Sequence, residues 1–152
     1  MNIVIAAVGK SKPGAERDLF DSYTGRVPWR IDVKEIEIKK EMAVDARRIR
    51  EAEALLEAIP EGARIIALDE RGKNEASDVF AKRLGRWRDD GVRAVAFIIG
   101  GADGLDESVR KRADAVVSFG ALTWPHMLVR ALLSEQLYRA HTILTGHPYH
   151  RG

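Results

Sequence analysis

The sequence predicts an α/β protein with a mainly parallel sheet flanked by helices. Residues 94–99 and 115–117 are short apolar runs rich in β-branched side chains, which is typical of strands covered on both faces. Each run ends in a loop of small residues, at 100–104 and 118–125. Strand patterns also alternate with helical patterns along the chain, which indicates strand–helix–strand units. A chain of 152 residues with this order is most simply one domain, which we place at 1–152.

The first half of the chain contains three predicted strands, at residues 3–8, 31–38 and 63–68. The first is a continuous apolar run and the third is apolar apart from Arg64, as expected for the interior of a parallel sheet. In the second, the alternation of apolar and charged residues changes phase near Lys34. Such a change favours a bulge or a position at the edge of the sheet.

Two helices are predicted between these strands. Residues 16–23 form the first, with Leu19 and Phe20 facing inward. Residues 44–59 form the second, because apolar residues recur there at helical spacing before Pro60 and Gly62 end the pattern. The residues expected on its buried face are Ile49, Ala52, Leu55, Leu56 and Ile59. The charged residues of the second helix are expected to form a solvated face, and they include Arg47, Arg48, Glu51 and Glu57.

The second half of the chain adds three predicted helices. A charged loop at 69–74 leads to a helix capped by Asn74 or Ser77. A short helix at 105–113 follows the glycine-rich loop, and Pro125 opens a long final helix, where its missing N–H does no harm. The inward stripes of the first and last of these helices are Phe80, Leu84 and Trp87, and Val129, Leu133, Leu137, Ala140 and Leu144.

Composition excludes several classes of protein. The net charge is only +2, from 25 basic and 23 acidic residues, which is not typical of a free-standing nucleic-acid binder. The absence of cysteine excludes disulfides, thiolate metal sites and cysteine nucleophiles. The apolar N-terminus is too short for a signal peptide, and no stretch approaches the roughly 20 apolar residues of a membrane span. We therefore expect a cytoplasmic protein, and no metal, because metal-ligand spacing is missing among His126, His141, His147 and His150.

The two loops of small residues are the candidate ligand site. Ligands of open α/β sheets bind at the carboxyl ends of the strands, and glycine lets the backbone approach a ligand closely. The alternative is that Gly100, Gly101 and Gly104 only make turns. The usual nucleotide signatures do not occur, since Gly72 and Lys73 lack the other residues of a phosphate-binding loop.

A series of short motifs extends from about residue 63 to the end of the chain. They comprise Leu-Asp at 68–69 with Gly-Lys at 72–73, Phe-Ile-Ile-Gly-Gly at 97–101, Asp-Gly-Leu at 103–105, Ser-Phe at 118–119, Leu-Thr-Trp-Pro-His at 122–126, Leu-Val-Arg at 128–130, Glu-Gln-Leu-Tyr-Arg-Ala at 135–140 and His-Pro-Tyr-His-Arg at 147–151. In order and spacing they resemble the RlmH family of ribosomal RNA methyltransferases, members of the SPOUT superfamily. Residues 7–10 also resemble the family's first strand and turn, whereas Trp124 stands where the family usually has a small or hydrophobic residue.

The resemblance implies a SPOUT fold in which the C-terminal segment threads through a preceding loop to make a trefoil knot. Knots are nearly absent from other proteins, so no periodicity could predict one. The family binds S-adenosylmethionine in this knot. The residues that the resemblance assigns to the cofactor are Leu68, Gly100, Phe119, Gly120, Ala121, Leu122, Thr123 and Trp124.

The resemblance also implies the reaction, which is methyl transfer to N3 of a pseudouridine in large-subunit (23S) ribosomal RNA. His126 is then a base or hydrogen-bond partner for the imide, although it could instead only pack or cap at the start of its helix. The tail residues Tyr149, His150 and Arg151 suit base stacking and phosphate binding, with a frayed terminus as the alternative. Arg130 and Arg139 could contact RNA or form ion pairs.

As partners we expect a second copy of the chain and the assembled ribosome. The low net charge and the lack of an appended RNA-binding domain favour a large preformed surface over loose RNA. In a homodimer the tail of one subunit would complete the active site of the other. Two rival functions remain open: a small-molecule methyltransferase or hydrolase that uses the same pocket, and a non-enzymatic ribosome-associated or assembly factor.

Overall fold

A computed structural model describes residues 1–151, and Gly152, the last residue of the predicted domain, lies outside the described residues. Five strands alternate with five helices, in the order that the sequence predicts. The elements are β1 (Asn2–Val8), α1 (Ala15–Thr24), β2 (Arg30–Ile36), α2 (Val44–Glu57), β3 (Arg64–Asn74), α3 (Ser77–Asp89), β4 (Ala94–Ile99), α4 (Glu107–Arg112), β5 (Ala115–Ser118) and α5 (His126–Thr145), followed by a 3₁₀ turn, Pro148–Arg151.

All paired strands of the sheet run parallel, in the order β2-β1-β4-β3-β5. The predicted fold class, a mainly parallel sheet flanked by helices, is confirmed. The strand β2 lies at one edge, and Val33 within it is 38% exposed. This edge position explains why the apolar alternation changes phase in β2, since an edge strand is buried less completely than a central one.

Helices cover both faces of the sheet, and adjacent residues of the central strands face opposite sides. Phe97 of β4 packs in a cluster with residues of α3 and α5, whereas Ile98 packs in a second cluster with Leu55 of α2 and Val109 of α4. The helix α5 packs against both α1 and α3. The face of the sheet that carries Phe97 therefore holds α5 in place, together with any functional group at the start of that helix.

The strand β3 is longer than predicted, so the expectation of a charged loop at 69–74 was wrong. Lys73 and Asn74 pair with Val117 and Ser118 of β5 after a register shift that begins at Leu68. The pairing partner lies more than forty residues away along the chain, and charge alone suggested a loop. The close approach requires Gly72, because a Cβ there would lie 2.6 Å from the carbonyl carbon of Val116.

Three side chains of α1 and α2 lie on the opposite side from that predicted. Leu19 is 44% exposed, and only Phe20 of the predicted pair packs against the core. Ile49 is 49% exposed, whereas Glu51, expected on the solvated face, is only 7% exposed. Glu51 precedes the buried residues Ala52 and Leu55 by one and four positions, so helical spacing places it on their face.

The helix caps agree with the sequence only in part. Ala76, not Asn74 or Ser77, is the N-cap of α3, and the hydroxyl of Ser77 instead donates to Gln136 of α5 at 2.8 Å. Asp106 is the N-cap of α4, since its carboxylate accepts a hydrogen bond from the N–H of Ser108 at 3.0 Å. Gly146 ends α5 with a left-handed φ of +73°, and this conformation favours glycine. Within residues 1–151, no helix has the length and apolar character needed to cross a bilayer.

The substitution Gly72→Ala should destabilise the protein, because the added methyl group would meet the backbone of Val116 and Val117. Backbone atoms in a paired strand cannot move aside like a flexible side chain, so we expect a loss of at least about 2 kcal/mol in the free energy of unfolding. Chemical denaturation measures it. The control Gly14→Ala places its methyl group 3.7 Å from the nearest atom on an exposed turn. Equal stability of the two variants would contradict the close packing of β3 and β5.

Candidate active site

A cavity of about 630 Å³ lies at the carboxyl ends of β4 and β5, beside the register shift within β3. Its walls come from residues 68–71, 99–105 and 117–126, without Ala121. These segments meet because the three strands are parallel neighbours: the residues that follow β4 and β5 reach the same edge of the sheet, and residues 68–71 lie beside them at the register shift within β3. The two loops that the sequence predicts to share a ligand thus line one cavity, together with residues 68–71 of β3.

The glycine loop, residues 100–104, is folded tightly on itself. The N–H of Gly104 donates to the carbonyl of Gly101 at 3.1 Å, and a Cβ on Gly100 would lie 3.0 Å from the carbonyl carbon of Gly104. Gly104 has a φ of +77°, and nothing lies within 4 Å of the position that its Cβ would take. Gly100 is therefore needed by the turn itself, whereas Gly104 leaves space at the cavity wall.

The loop after β5 presents both backbone groups and apolar side chains to the cavity. The hydroxyl of Ser118 donates to the carbonyl of Gly120 and accepts from its N–H, at 3.0 and 3.1 Å. The indole N–H of Trp124 donates to the carbonyl of Phe119 at 3.3 Å. Leu122 is 72% exposed. Local hydrogen bonds therefore shape the loop, and a large apolar side chain on it remains uncovered.

The structure brings together most of the residues that the resemblance assigns to the cofactor. Seven of the eight line the cavity, and Ala121 is exposed in the same loop. Their role in binding stays a prediction. The seven are Leu68, Gly100, Phe119, Gly120, Leu122, Thr123 and Trp124.

The cavity also has charged walls, which the sequence analysis did not assign to it. Three carboxylates line it, those of Asp69, Glu70 and Asp103. The only permanently charged basic side chain among the described residues of the lining is Arg71. The Asp69 carboxylate accepts from the N–H of Arg71 at 2.8 Å and lies 3.7 Å from the guanidinium of Arg110. The remaining acidic groups give the cavity a negative character. The available signal was their position soon after the apolar runs at 63–68 and 94–99.

A second cavity, of about 600 Å³, lies beside the first and shares His126 with it. The second cavity is bounded by the turn after β1, the helix α1, the edge strand β2 and the start of α5. Basic side chains in its lining include Lys10, Lys12 and Arg17. His126 is thus the side chain that connects the two spaces. Its ring packs against Gly9, where a Cβ would lie 3.3 Å from Nε2 of His126.

Arg130 forms an internal ion pair, the second of the two roles that the sequence left open for it. Only 4% of the residue is exposed. Its guanidinium donates to the Glu35 carboxylate at 2.6 Å and to the carbonyl of Gly9 at 2.9 Å. Burial by itself raises the pKa of Glu35, but the hydrogen bonds from Arg130 and the N–H of Ser11 hold that pKa below its usual value. The pair fixes the start of α5 to the ends of β1 and β2.

The predicted tail residues Tyr149, His150 and Arg151 line neither cavity. The 3₁₀ turn that contains them follows α5, whose 20 residues separate it from His126 by about 30 Å of helix. The hydroxyl of Tyr149 donates to Glu135 at 3.0 Å, and Arg139, which also pairs with Glu135, lies over the Tyr149 ring. The structure therefore does not bring the tail to His126 within one chain.

Tyr149 is held in its protonated form. Burial, followed by its hydrogen bonds with Tyr23 and Glu135, raises the pKa of the phenol. A phenol of this kind donates hydrogen bonds or stacks and does not act as a base. Nδ1 of His150 is buried and has no hydrogen-bond partner among residues 1–151. Over the same residues, no group of three or more histidine or carboxylate side chains is arranged to hold a metal ion.

Comparisons with known proteins agree on the family. The family described as "Predicted SPOUT methyltransferase" matches residues 1–150. A relative from Rhodospirillum centenum, "Ribosomal RNA large subunit methyltransferase H", is 55% identical over 151 residues, which are 99% of both chains. This likeness extends over the N-terminal half, where the motifs were sparse.

Solved structures of distant sequence have the same fold. A probable methyltransferase from Bordetella pertussis superposes with a TM-score of 0.62 at 12% identity, over 91% of this chain and 95% of that one. The SpoU methyltransferase AviRb from Streptomyces viridochromogenes, solved with the cofactor AdoMet, gives 0.50 at 13% identity, over 92% and 58%. At such identities the likeness concerns the fold alone. Taken with the family match and the full-length relative, it establishes that the chain belongs to the SPOUT methyltransferases and, among them, to the ribosomal RNA large subunit methyltransferase H family.

Proposed function

We propose that this protein transfers a methyl group from S-adenosylmethionine to N3 of a pseudouridine in large-subunit (23S) ribosomal RNA of the assembled ribosome. The observation that carries the proposal is the cavity at the ends of β4 and β5 beside the register shift of β3, built from the segments that the family resemblance assigns to the cofactor. The relative from R. centenum, 55% identical over 99% of its length, is named as a methyltransferase of large-subunit ribosomal RNA.

The cavity has the properties that this cofactor requires. Its volume of about 630 Å³ is in the range of small-molecule sites. Leu68, Val117 and Leu122 offer apolar surface for an adenine ring, and loop backbone groups near Gly120 can read its polar edge. The acidic lining suits a ligand with a positively charged sulfonium group. The proposed cofactor set is the eight residues given above, with Ala121 taking part through the shape of its loop.

The reaction requires the protein to align the methyl donor with the acceptor nitrogen and to remove one proton. S-adenosylmethionine supplies an electrophilic methyl group on sulfur. As the bond from this carbon to N3 forms, the bond to sulfur breaks, and the imide proton leaves N3. His126 lies between the two cavities, so it can accept this proton or hydrogen-bond the imide of a base that enters from the second cavity.

The protein would act as a homodimer of one-domain subunits, with residues 1–152 as the domain and a C-terminal trefoil knot around the cofactor. Tyr149, His150 and Arg151 are separated from their own His126 by the whole of α5, whereas a two-fold dimer can present them to the partner's cavity. There they would stack on the target base and bind phosphate. A ribosomal substrate implies that the protein works in the cytoplasm.

Intact ribosomes should be methylated much faster than a naked transcript of the same stem-loop. A net charge of +2 supplies few of the phosphate contacts that a free RNA would need. The assay is mass spectrometry of the rRNA fragment after incubation with S-adenosylmethionine, using particles that lack the modification. We expect the initial rate on the naked transcript to be at least about tenfold lower, which is the size of effect that the loss of a few phosphate contacts produces. Equal rates would contradict ribosome specificity, and no methylation of either RNA would contradict the proposed function.

Leu122→Ala should weaken binding of S-adenosylmethionine about tenfold, because the cofactor would cover a leucine that is 72% exposed without it. The melting temperature without cofactor should not change, since the side chain is already largely in water. Calorimetry measures both quantities. The matched control is Ile49→Ala on α2, which removes a similar exposed side chain, 49% exposed, outside the cavity. If both variants bind like the unaltered protein, the cofactor lies elsewhere.

Two inactive variants should restore activity when mixed, if each site is shared between subunits. One is Gly100→Val, whose side chain would collide with Gly104 and Leu105 and disrupt the glycine loop. The other ends at Tyr149, which keeps the contacts of that ring with α5 and removes the following residues. With free exchange, roughly a quarter of all sites combine an intact loop with an intact tail, as two-fold symmetry requires. A mixture that exchanges subunits and stays inactive would contradict the shared site.

A further inference from the structure

The strongest unexplained feature is a buried carboxyl group behind the glycine loop. Glu51 of α2 is only 7% exposed. A Cβ built on Gly101 would lie 3.7 Å from Oε2 of Glu51 and 2.9 Å from Cγ1 of Val8. Residue 101 thus has no room for a side chain, and this carboxylate lies beside the backbone of a loop that lines the cavity.

The position of Glu51 is unfavourable for folding. Its Oε1 has no hydrogen-bond partner among residues 1–151. Burial and then the negative charge of Asp103 raise its pKa, and Arg47 on the same helix opposes them only in part. The guanidinium of Arg47 donates instead to the carbonyls of Ile38 and Lys40. A buried carboxylate without a partner costs stability, so its presence calls for another explanation.

The cavity side of the loop carries charge of the same sign. Asp103 lines the cavity and forms no ion pair within the described part of the chain. Asp69 on β3 is already engaged by Arg71 and Arg110. Within residues 1–151, Glu51 and Asp103 are therefore the acidic groups without an ion pair at the glycine loop, whereas Glu70, which also lines the cavity, belongs to β3.

We propose that Glu51, with Asp103, makes this cavity prefer the positively charged S-adenosylmethionine over its neutral product, S-adenosylhomocysteine. The inference rests on the proposed function and names a specificity determinant of the same site. Cofactor and product differ by one methyl group and one positive charge, so an uncompensated carboxylate behind the loop stabilises one and not the other. Its charge acts through the protein interior and is weakened less than it would be by water. Release of the product is thereby favoured after each transfer.

The test compares the dissociation constants of both ligands by calorimetry for the unaltered protein and for Glu51→Gln, which removes the charge and keeps the shape. We expect affinity for S-adenosylmethionine to fall roughly three- to tenfold, as for a charge acting over about 10 Å in protein, and affinity for S-adenosylhomocysteine to stay within about twofold. The control is Glu53→Gln, an exposed glutamate on the same helix, which should leave both constants unchanged.

The dependence on pH gives a second readout that a purely structural role would not change. The charged groups that face Glu51 are Asp103 from the glycine loop and Arg47 from its own helix. Because the pKa of Glu51 is raised above 4.5, its charge develops at higher pH than that of an ordinary glutamate. The preference for S-adenosylmethionine should rise as the pH increases above 4.5 and Glu51 ionises in the unaltered protein, and it should rise less in Glu51→Gln.

Ionisation of Glu51 favours binding of S-adenosylmethionine but lowers the stability of the folded protein. An acid with a raised pKa in the folded state destabilises that state once it ionises, so Glu51→Gln should unfold at a higher temperature than the unaltered protein at pH 8. This advantage should shrink as the pH falls toward 4.5. Should Glu51→Gln nonetheless fail to fold, Asp103→Asn, at an exposed position, tests the same preference.

Each outcome separates this inference from the proposed function. If the unaltered protein binds both ligands and Glu51→Gln or Asp103→Asn weakens both equally or neither, the charge preference is wrong and the cofactor site stands. If the unaltered protein binds neither ligand, the proposed function and this inference fail together. If a variant loses affinity for S-adenosylmethionine alone, the result supports both the charge preference and the proposed function.

Discussion

The parallel pairing of β5 with β3 is the constraint on which the candidate active site depends. β5 is short, and its side-by-side contact with the extended end of β3 places the loop after β5 opposite the glycine loop. Gly72 makes this contact possible, since no side chain fits between it and the backbone of Val116 and Val117. If β5 shifted outward by the width of one methyl group, the third wall of the cavity would shift with it. A packing requirement at one glycine thus becomes a requirement for ligand binding.

A buried ion pair fixes the structure where the two cavities meet. Arg130 is buried where α5 crosses the ends of β1 and β2, and it pairs with Glu35 and the carbonyl of Gly9. A buried ion pair gains little net stability but is costly to break, so it acts mainly to hold one geometry. His126 begins the same helix one turn earlier and packs against the same Gly9. The pair therefore fixes the side chain that faces both the proposed cofactor space and the proposed acceptor space.

The sequence predicted the sheet, the order of its elements and the location of the cavity, because local patterns determine all three. Residues 94–99 are a strand with the predicted bounds, since a continuous apolar run between a turn and a glycine loop allows little else. Non-local contacts explain the misses. The extension of β3 depends on β5, and the role of Arg130 depends on Glu35, which is 95 positions away. Glu51 was assigned to solvent from its charge, although its helical spacing with Leu55 indicated the core. The tail lines neither cavity of its own chain, and its place in a partner's site stays a prediction.

The central claim is that S-adenosylmethionine binds at the ends of β4 and β5, beside the register shift within β3. Amide chemical-shift mapping of the labelled protein during titration with S-adenosylmethionine tests it most directly, because every described loop reports separately. The account predicts that the largest shifts cluster at Leu68, at residues 100–104 and at residues 118–124, with smaller shifts along the turn after β1. Shifts centred on the cavity between Lys10 and Arg17, or at the opposite edge of the sheet near Arg64 and Arg93, would contradict it.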